Sequence, residues 1–190
     1  MRPNALVKIL TIFMMLLLMT AAVASAATVQ EKRDSIRKMR TETLQKLYDV
    51  HPTAQGAIQR SYGYAVFDNS DIQLGIIGGG AGYGLAIINS TGGEIFMKTV
   101  EGSVGIGLGV KNYMLVFVFE TQKAFTDFTS QGWEWGGQAT AAATDSIAGD
   151  SAQGAVSVGQ DVWVYQVTEK GLELTATVRG IRYNKDSDLN

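Results

Sequence analysis

Apolar residues dominate from Ile9 to Met19, behind a short basic segment with Arg2 and Lys8 and ahead of the small-residue run Thr20-Ala21-Ala22-Val23-Ala24-Ser25-Ala26. Basic, then apolar, then small is the layout of a secretory signal peptide, with Ala24-Ser25-Ala26 as the cleavage site. The pattern predicts a leader over 1–26 and a single mature domain over 27–190. No charge stands between Lys8 and Glu31, so a retained anchor is the alternative, although the Ala/Ser/Thr end is a poor hydrocarbon segment.

From Val29 to Val50 the period becomes helical. Ile36, Met39, Leu44 and Leu47 fall on one face, and His51-Pro52 ends the pattern because the residue before proline disfavours the α region. A second short helix is predicted from Thr53 to about Arg60. From Tyr62 onward the period is that of strands: Tyr62–Phe67, Leu74–Ile77, Gly82–Ile88, Glu94–Val100, Ser103–Lys111, Tyr113–Phe119, Gln138–Thr144, Val162–Val167 and Leu172–Arg182. Asp68-Asn69-Ser70-Asp71, Asn89-Ser90-Thr91-Gly92-Gly93 and Lys170-Gly171 supply turn chemistry between them. Tyr113–Phe119 is apolar on both faces and should be a central buried strand. One helix interrupts the sheet, with Thr121 as N-cap and Ala124, Phe125 and Phe128 facing inward.

Glycine recurs at period two in Gly105, Gly107 and Gly109, and Gly82-Tyr83-Gly84 repeats the pattern. Glycine weakens a strand unless the sheet bends sharply or something approaches its backbone. A curled, barrel-like sheet or a helix pressed onto a flat face would explain those bare faces, and so would a slot for an acyl chain or another flat apolar ligand. The small residues Ala139, Ala141 and Ala143 after Trp133-Glu134-Trp135 suggest a third such face.

The fold class expected is therefore α+β: an amphipathic helix first, then a curled, mostly antiparallel, glycine-rich sheet with one further helix. The chain has no cysteine, which excludes disulfides and thiolate chemistry. Loss of 1–26 removes Arg2 and Lys8 and leaves 14 basic against 18 acidic residues, the wrong balance for a nucleic-acid binder.

The candidate chemical motifs are weak. Gly78-Gly79-Gly80-Ala81-Gly82-Tyr83-Gly84 lacks the Gly-Lys-Ser/Thr ending of a phosphate loop and leads into a strand, where a dinucleotide site needs a helix. Ser35-Ile36-Arg37-Lys38 has no companion motif of a serine acyltransferase. His51 is the only histidine, which removes most Ser-His-Asp arrangements and His-rich metal sites. Asp68 with Asp71, or Asp186 with Asp188, lacks an EF-hand pattern. Asn89-Ser90-Thr91 matches a glycosylation sequon that a hairpin turn also explains. No enzyme activity, cofactor or metal site is expected.

One constellation has functional promise. The first mature helix carries Lys32, Arg33, Arg37, Lys38, Arg40 and Lys46 against four acidic residues, a balance of +2, while the chain from His51 onward carries −6. A basic amphipathic helix beside an acidic body can lie on an anionic membrane. Equally, its apolar side can pack on the sheet, and the two can coexist.

Tyr62-Gly63-Tyr64-Ala65-Val66-Phe67, the Gly78 to Gly84 cluster, Val104 to Val110, the helix around Ala124-Phe125, and the ending from Gly171-Leu172 through Gly180 to Leu189-Asn190 resemble the SYLF domain family in order and spacing. The resemblance covers about Thr41 to Asn190; Asp68 stands where members commonly have proline. It implies a non-catalytic lipid- or membrane-binding module, in bacteria mostly exported, in eukaryotes linked to phosphoinositides and, in yeast actin-patch regulators, to actin. For an exported chain only general lipid binding carries over, to the periplasm or the cell exterior, with the basic segment Lys32 to Lys46 as the lipid contact. A structural or protein-interaction domain of the envelope, without lipid specificity, is the alternative.

Overall fold

The computed structural model describes residues 5–130, 132–135, 154–168, 171–172 and 180–190. Two compact units divide the chain, residues 1–35 and 36–190. The first helix, α1 (Ala5–Val50), begins in one and ends in the other. Among the described residues no helix carries a stretch long and apolar enough to cross a membrane.

In the second unit the elements after α1 are α2 (Pro52–Arg60), β1 (Gly63–Ile88), β2 (Gly93–Phe119), α3 (Gln122–Ser130), β3 (Trp133–Trp135), β4 (Val156–Gly159), β5 (Val162–Thr168), β6 (Gly171–Leu172) and β7 (Gly180–Lys185). The strands form one antiparallel sheet curled into a half-barrel, with the path β3-β7-β2-β5-β4, β1 paired to β2 and β6 to β5. The α+β class, the leading helix and the curled antiparallel sheet are as the sequence pattern predicts. Tyr113–Phe119 is the central strand expected: its residues pair with β1 on one side and, from Met114, with β5 on the other, and Leu115 to Phe119 are buried. Thr121 accepts the Ala124 N–H at 3.3 Å as the cap of α3.

Several boundaries differ. Pro52 opens α2 at its first position instead of merely closing α1, because the N–H it lacks would be unsatisfied there anyway. The Asp68-Asn69-Ser70-Asp71 turn is absent: β1 runs through it, paired from Asp68↔Met114 to Asp71↔Lys111. Ladder bonds and cross-strand side chains override the local turn preference. Ser70 Oγ is 2.9 Å from Asn112 Oδ1, and buried Asn69 accepts from Thr99 Oγ1 at 2.7 Å. Three expected strands thus merge into β1 and three into β2. The strand expected at Gln138–Thr144, with its alanine face, lies outside the described residues, as does 173–179 of the last one.

The two long strands fold back on themselves. A Cβ on Gly63 would lie 2.5 Å from the Ile87 carbonyl oxygen, one on Gly84 2.6 Å from that of Val66, and one on Gly82 would strike Asp68. Gly63 thus faces Ile87, Val66 faces Gly84 and Asp68 faces Gly82, the antiparallel order of one strand doubled over. Close approach to the backbone, by the other limb of the same curled strand and not by a ligand, accounts for the glycines at these positions. The face of Gly105, Gly107 and Gly109 lies outside the described side chains. Asn89 latches the doubled hairpin. Its N–H donates to Tyr62 O at 3.1 Å, and its side-chain Nδ2 donates to Ile58 O at 2.7 Å and Ser61 O at 2.9 Å. The sequon asparagine therefore has its amide in use.

Alternation along the strands puts a different layer on each face. On one lie Ala65, Phe67, Met97, Leu115, Phe117 and Phe119, covered by Phe125 and Phe128 of α3. Edge-on aromatic contacts link them to Tyr183 and Trp133, with Phe67 and Tyr183 4.8 Å apart between ring centres. The other face carries Tyr64, Val66, Leu85, Phe96, Val116, Val118 and Tyr165, all buried except for small edges.

Beyond Met97 the first face turns polar, with buried Thr99 and Glu101, and Tyr113 donates to Glu101 Oε2 at 2.6 Å. Burial pushes the Glu101 carboxyl above its ordinary range, and the phenol's hydrogen bond moderates the rise. A folded-state value above the unfolded one means stability that is complete at low pH and is lost as pH rises through the raised value. Glu101→Gln removes that loss while keeping an acceptor for Tyr113. Its melting temperature should exceed that of the parent by a margin that widens as pH rises above the ordinary glutamate range and levels off above the raised value. A margin constant with pH would show that Glu101 is not the titrating group.

Candidate functional site

The basic residues of α1 divide by unit and by role. In the first unit Lys32 is exposed and Arg33 half-buried, on a segment where Gln30 donates to both oxygens of Asp34 at 3.0 and 3.1 Å. In the second unit the inward positions are Ile36, Met39, Thr43 and Leu47, each 8 % exposed or less, with Leu44 half-buried beside them. Spacing of three, four and four keeps them on one stripe. Thr43 fits an apolar stripe because sulfur accepts its hydroxyl: Oγ1 lies 3.1 Å from Met114 Sδ and 3.6 Å from Met39 Sδ.

Arg37 and Arg40 flank this stripe and serve the docking. Arg37 Nε lies 3.1 and 3.0 Å from the two Glu94 oxygens, and its Nη2 2.6 Å from Oε2. The same guanidinium stands 5.4 Å from the centre of the Phe96 ring. The pair is about one-third exposed, so it contributes about 1 kcal/mol to holding helix on sheet. Arg40 approaches Tyr64, whose phenol burial pushes up in pKa and Arg40 pulls back. Its Nη2 reaches Thr41 Oγ1 at 3.4 Å, while its buried Nε has no hydrogen-bond partner. Lys38 and Lys46 point outward. Lys38 is 77 % exposed with Glu42 3.8 Å away, and Lys46 is exposed with its charge acting on Asp68, whose carboxyl burial raises in pKa.

The other polar candidates have structural partners. Asp68 shares a hydrogen bond with Tyr83, Asp186 accepts the Asp188 N–H at 3.1 Å and faces Lys98, and His51 lies against Tyr165. Among the described residues no group of three His, Asp or Glu side chains could hold a metal ion. Glu94 and Phe96, the receptors for Arg37, carry no sequence signal: nothing local ties residue 37 to residue 94.

Residues 100–190 match the model of the Ysc84 family, described as a Las17-binding protein actin regulator. Over those residues the chain is similar to the SYLF domain family. Over 162 residues, 85% of the chain, it is 33% identical to Beta cell expansion factor A of Aeromonas veronii, and the match spans 60% of that protein's length. The matched SYLF segment runs from the end of the first limb of β2 through the aromatic face to Asn190. There the Asn190 amide holds Phe96 by both backbone groups, at 3.1 and 2.8 Å. The family is one of binding domains.

Proposed function

We propose that the chain is an exported, non-catalytic membrane-binding module of the cell envelope, released from its leader over 1–26, which meets anionic lipid through the outward basic residues of α1. The observation that carries this reading is the division of labour on the helix. Ile36, Met39 and Leu47 are docked on the sheet, and releasing them would cost about 5–9 kcal/mol at 1.5–3 kcal/mol each. Insertion of that face into a bilayer is thus opposed, whereas electrostatic adsorption leaves the fold intact. The exposure of Lys38 and Lys46, and in the first unit that of Lys32, supports this reading. The family description names a protein partner, which favours a protein-interaction role as the second reading.

Vesicle flotation separates the two. Each well-placed Lys or Arg contributes about 1 kcal/mol at an anionic surface, so replacing Lys32, Lys38 and Lys46 together with glutamine should weaken binding to anionic vesicles roughly a hundredfold, with little change in stability. Raising salt should act in the same direction on the parent. Equal flotation of parent and variant, or retention indifferent to lipid charge and salt, would sink the membrane reading.

A further inference from the structure

The chain holds no cysteine, so methionine supplies its only oxidisable sulfur. The methionines among the described side chains differ in access. Met97 is fully buried and Met39 is 8 % exposed, whereas Met114 is half-buried. Met114 is laddered to Asp68 on one side and to Val167 on the other, so its backbone is covered and the surface it keeps belongs to its side chain. Susceptibility to oxidation follows exposure, which singles out Met114.

What stands against its sulfur is unusual for a helix. Thr41 and Thr129 donate their hydroxyls to the carbonyl four residues back, Arg37 O at 3.0 Å and Phe125 O at 2.9 Å, the ordinary resort of a helical threonine. Thr43 donates outward instead, to Met114 Sδ at 3.1 Å, with Met39 Sδ 3.6 Å away. A thioether is a weak acceptor, and Thr43 has no exposed surface. The joint between α1 and the sheet therefore holds a full-strength donor against a partner that uses little of it. Oxidation of a packed methionine ordinarily adds an unpaired polar atom and disrupts the packing; here a donor for that atom is already in place.

We propose that Met114 is an oxidation site whose sulfoxide is received by the Thr43 hydroxyl, so that α1 stays docked on the sheet when the sulfur is oxidised. The oxidant is a hydroperoxide. A sulfur lone pair attacks one peroxide oxygen, the O–O bond breaks, an S–O bond forms, and the departing oxygen takes up the proton and leaves as water or an alcohol. Sulfur loses the two electrons that the peroxide gains. Thr43 covers the lone pair that faces it, so the oxygen enters on the outer one, and rotation about the soft Cγ–Sδ bond of methionine turns it to the hydroxyl. The site is independent of what the basic residues of α1 bind.

The test treats the full chain with hydrogen peroxide under native conditions, maps the added oxygen by peptide mass spectrometry and follows the melting temperature. Met114 should be converted first, with Met39 and Met97 following only in denaturant, and the oxidised parent should melt within about 2 °C of the reduced protein. Thr43→Val keeps the shape and removes the donor. Reduced, it should melt at or above the parent, because only a weakly used hydroxyl is lost; oxidised, it should fall by about 3–10 °C, the effect of an unpaired polar atom in a domain of this size. Thr43→Ser restores the donor and should restore tolerance, and Met114→Leu should melt alike with and without peroxide. Oxidation of Met39 or Met97 in step with Met114, protection of Met114 in the folded protein, or equal losses in the oxidised parent and oxidised Thr43→Val overturns the proposal. A large loss in the oxidised parent overturns it even if Thr43→Val does not fold.

Discussion

Gly84→Val should destabilise the fold by at least about 2–3 kcal/mol, a fall in melting temperature of roughly 5–12 °C for a domain of this size. Strand propensity alone predicts the opposite, since valine is favoured over glycine in sheets by up to about 1 kcal/mol. The steric term wins because the obstacle is not only a side chain. A Cβ at this position would meet the Phe67 ring and lie 2.6 Å from the Val66 carbonyl oxygen, and neither a buried ring in a packed aromatic cluster nor a strand backbone can withdraw cheaply. Gly102→Val is the matched control. Gly102 sits in β2, opposite Gly79 and Gly180, with nothing within 4 Å of its would-be Cβ, so valine there should be neutral or mildly stabilising. Thermal melts of the two variants decide the matter. Equal behaviour would mean that the limbs of β1 do not press together.

The second large effect lies at the helix. Leu47→Ala should cost about 2–5 kcal/mol and Ile36→Ala a similar amount, because both side chains are no more than 1 % exposed against the sheet. Serine at the same places should cost more, since it adds an unpaired hydroxyl to the interface. Denaturant titration measures this directly. A helix whose apolar face belongs to the bilayer predicts a different outcome, lost vesicle binding at nearly constant stability. Stability that does not change in Ile36→Ser and Leu47→Ser would refute docking. The arginines demand care in the same experiments. Arg37→Gln breaks the Glu94 contact as well as removing a charge, so a loss of vesicle binding in that variant does not by itself implicate lipid.

Periodicity was enough to read the fold class and most helices, because burial on one face leaves a repeating mark in the chain: Ile36, Met39 and Leu47 on α1, Phe125 and Phe128 on α3, and the doubly apolar run to Phe119. Thr43 escaped that reading, as its burial depends on a methionine sulfur 71 positions away. The polar run at Asp68 to Asp71 was misleading for a related reason. Its residues have turn propensity, but Asn69 Oδ1 accepts from Thr99 of the neighbouring strand, a partner that only the doubled topology brings close. The glycines announced close approach without saying what approaches. In the candidate site, sequence showed which residues are basic but not which are free to act outward. Arg37 and Arg40 differ from Lys38 and Lys46 only through what the sheet places opposite them.

The latch at Asn89 bears on how this domain tolerates change in length. Exposed hairpin turns are ordinarily the places where chains accept insertions, tags and circular permutation. Here the first residue of the turn also ties the far end of β1 to the end of α2, through contacts with Ile58, Ser61 and Tyr62. Added residues ahead of Asn89 would shift it off those carbonyls and slide Gly84 out of register with Val66. The connection that looks most dispensable is consequently a poor site for a reporter, and an epitope grafted there would act as a destabilising mutation.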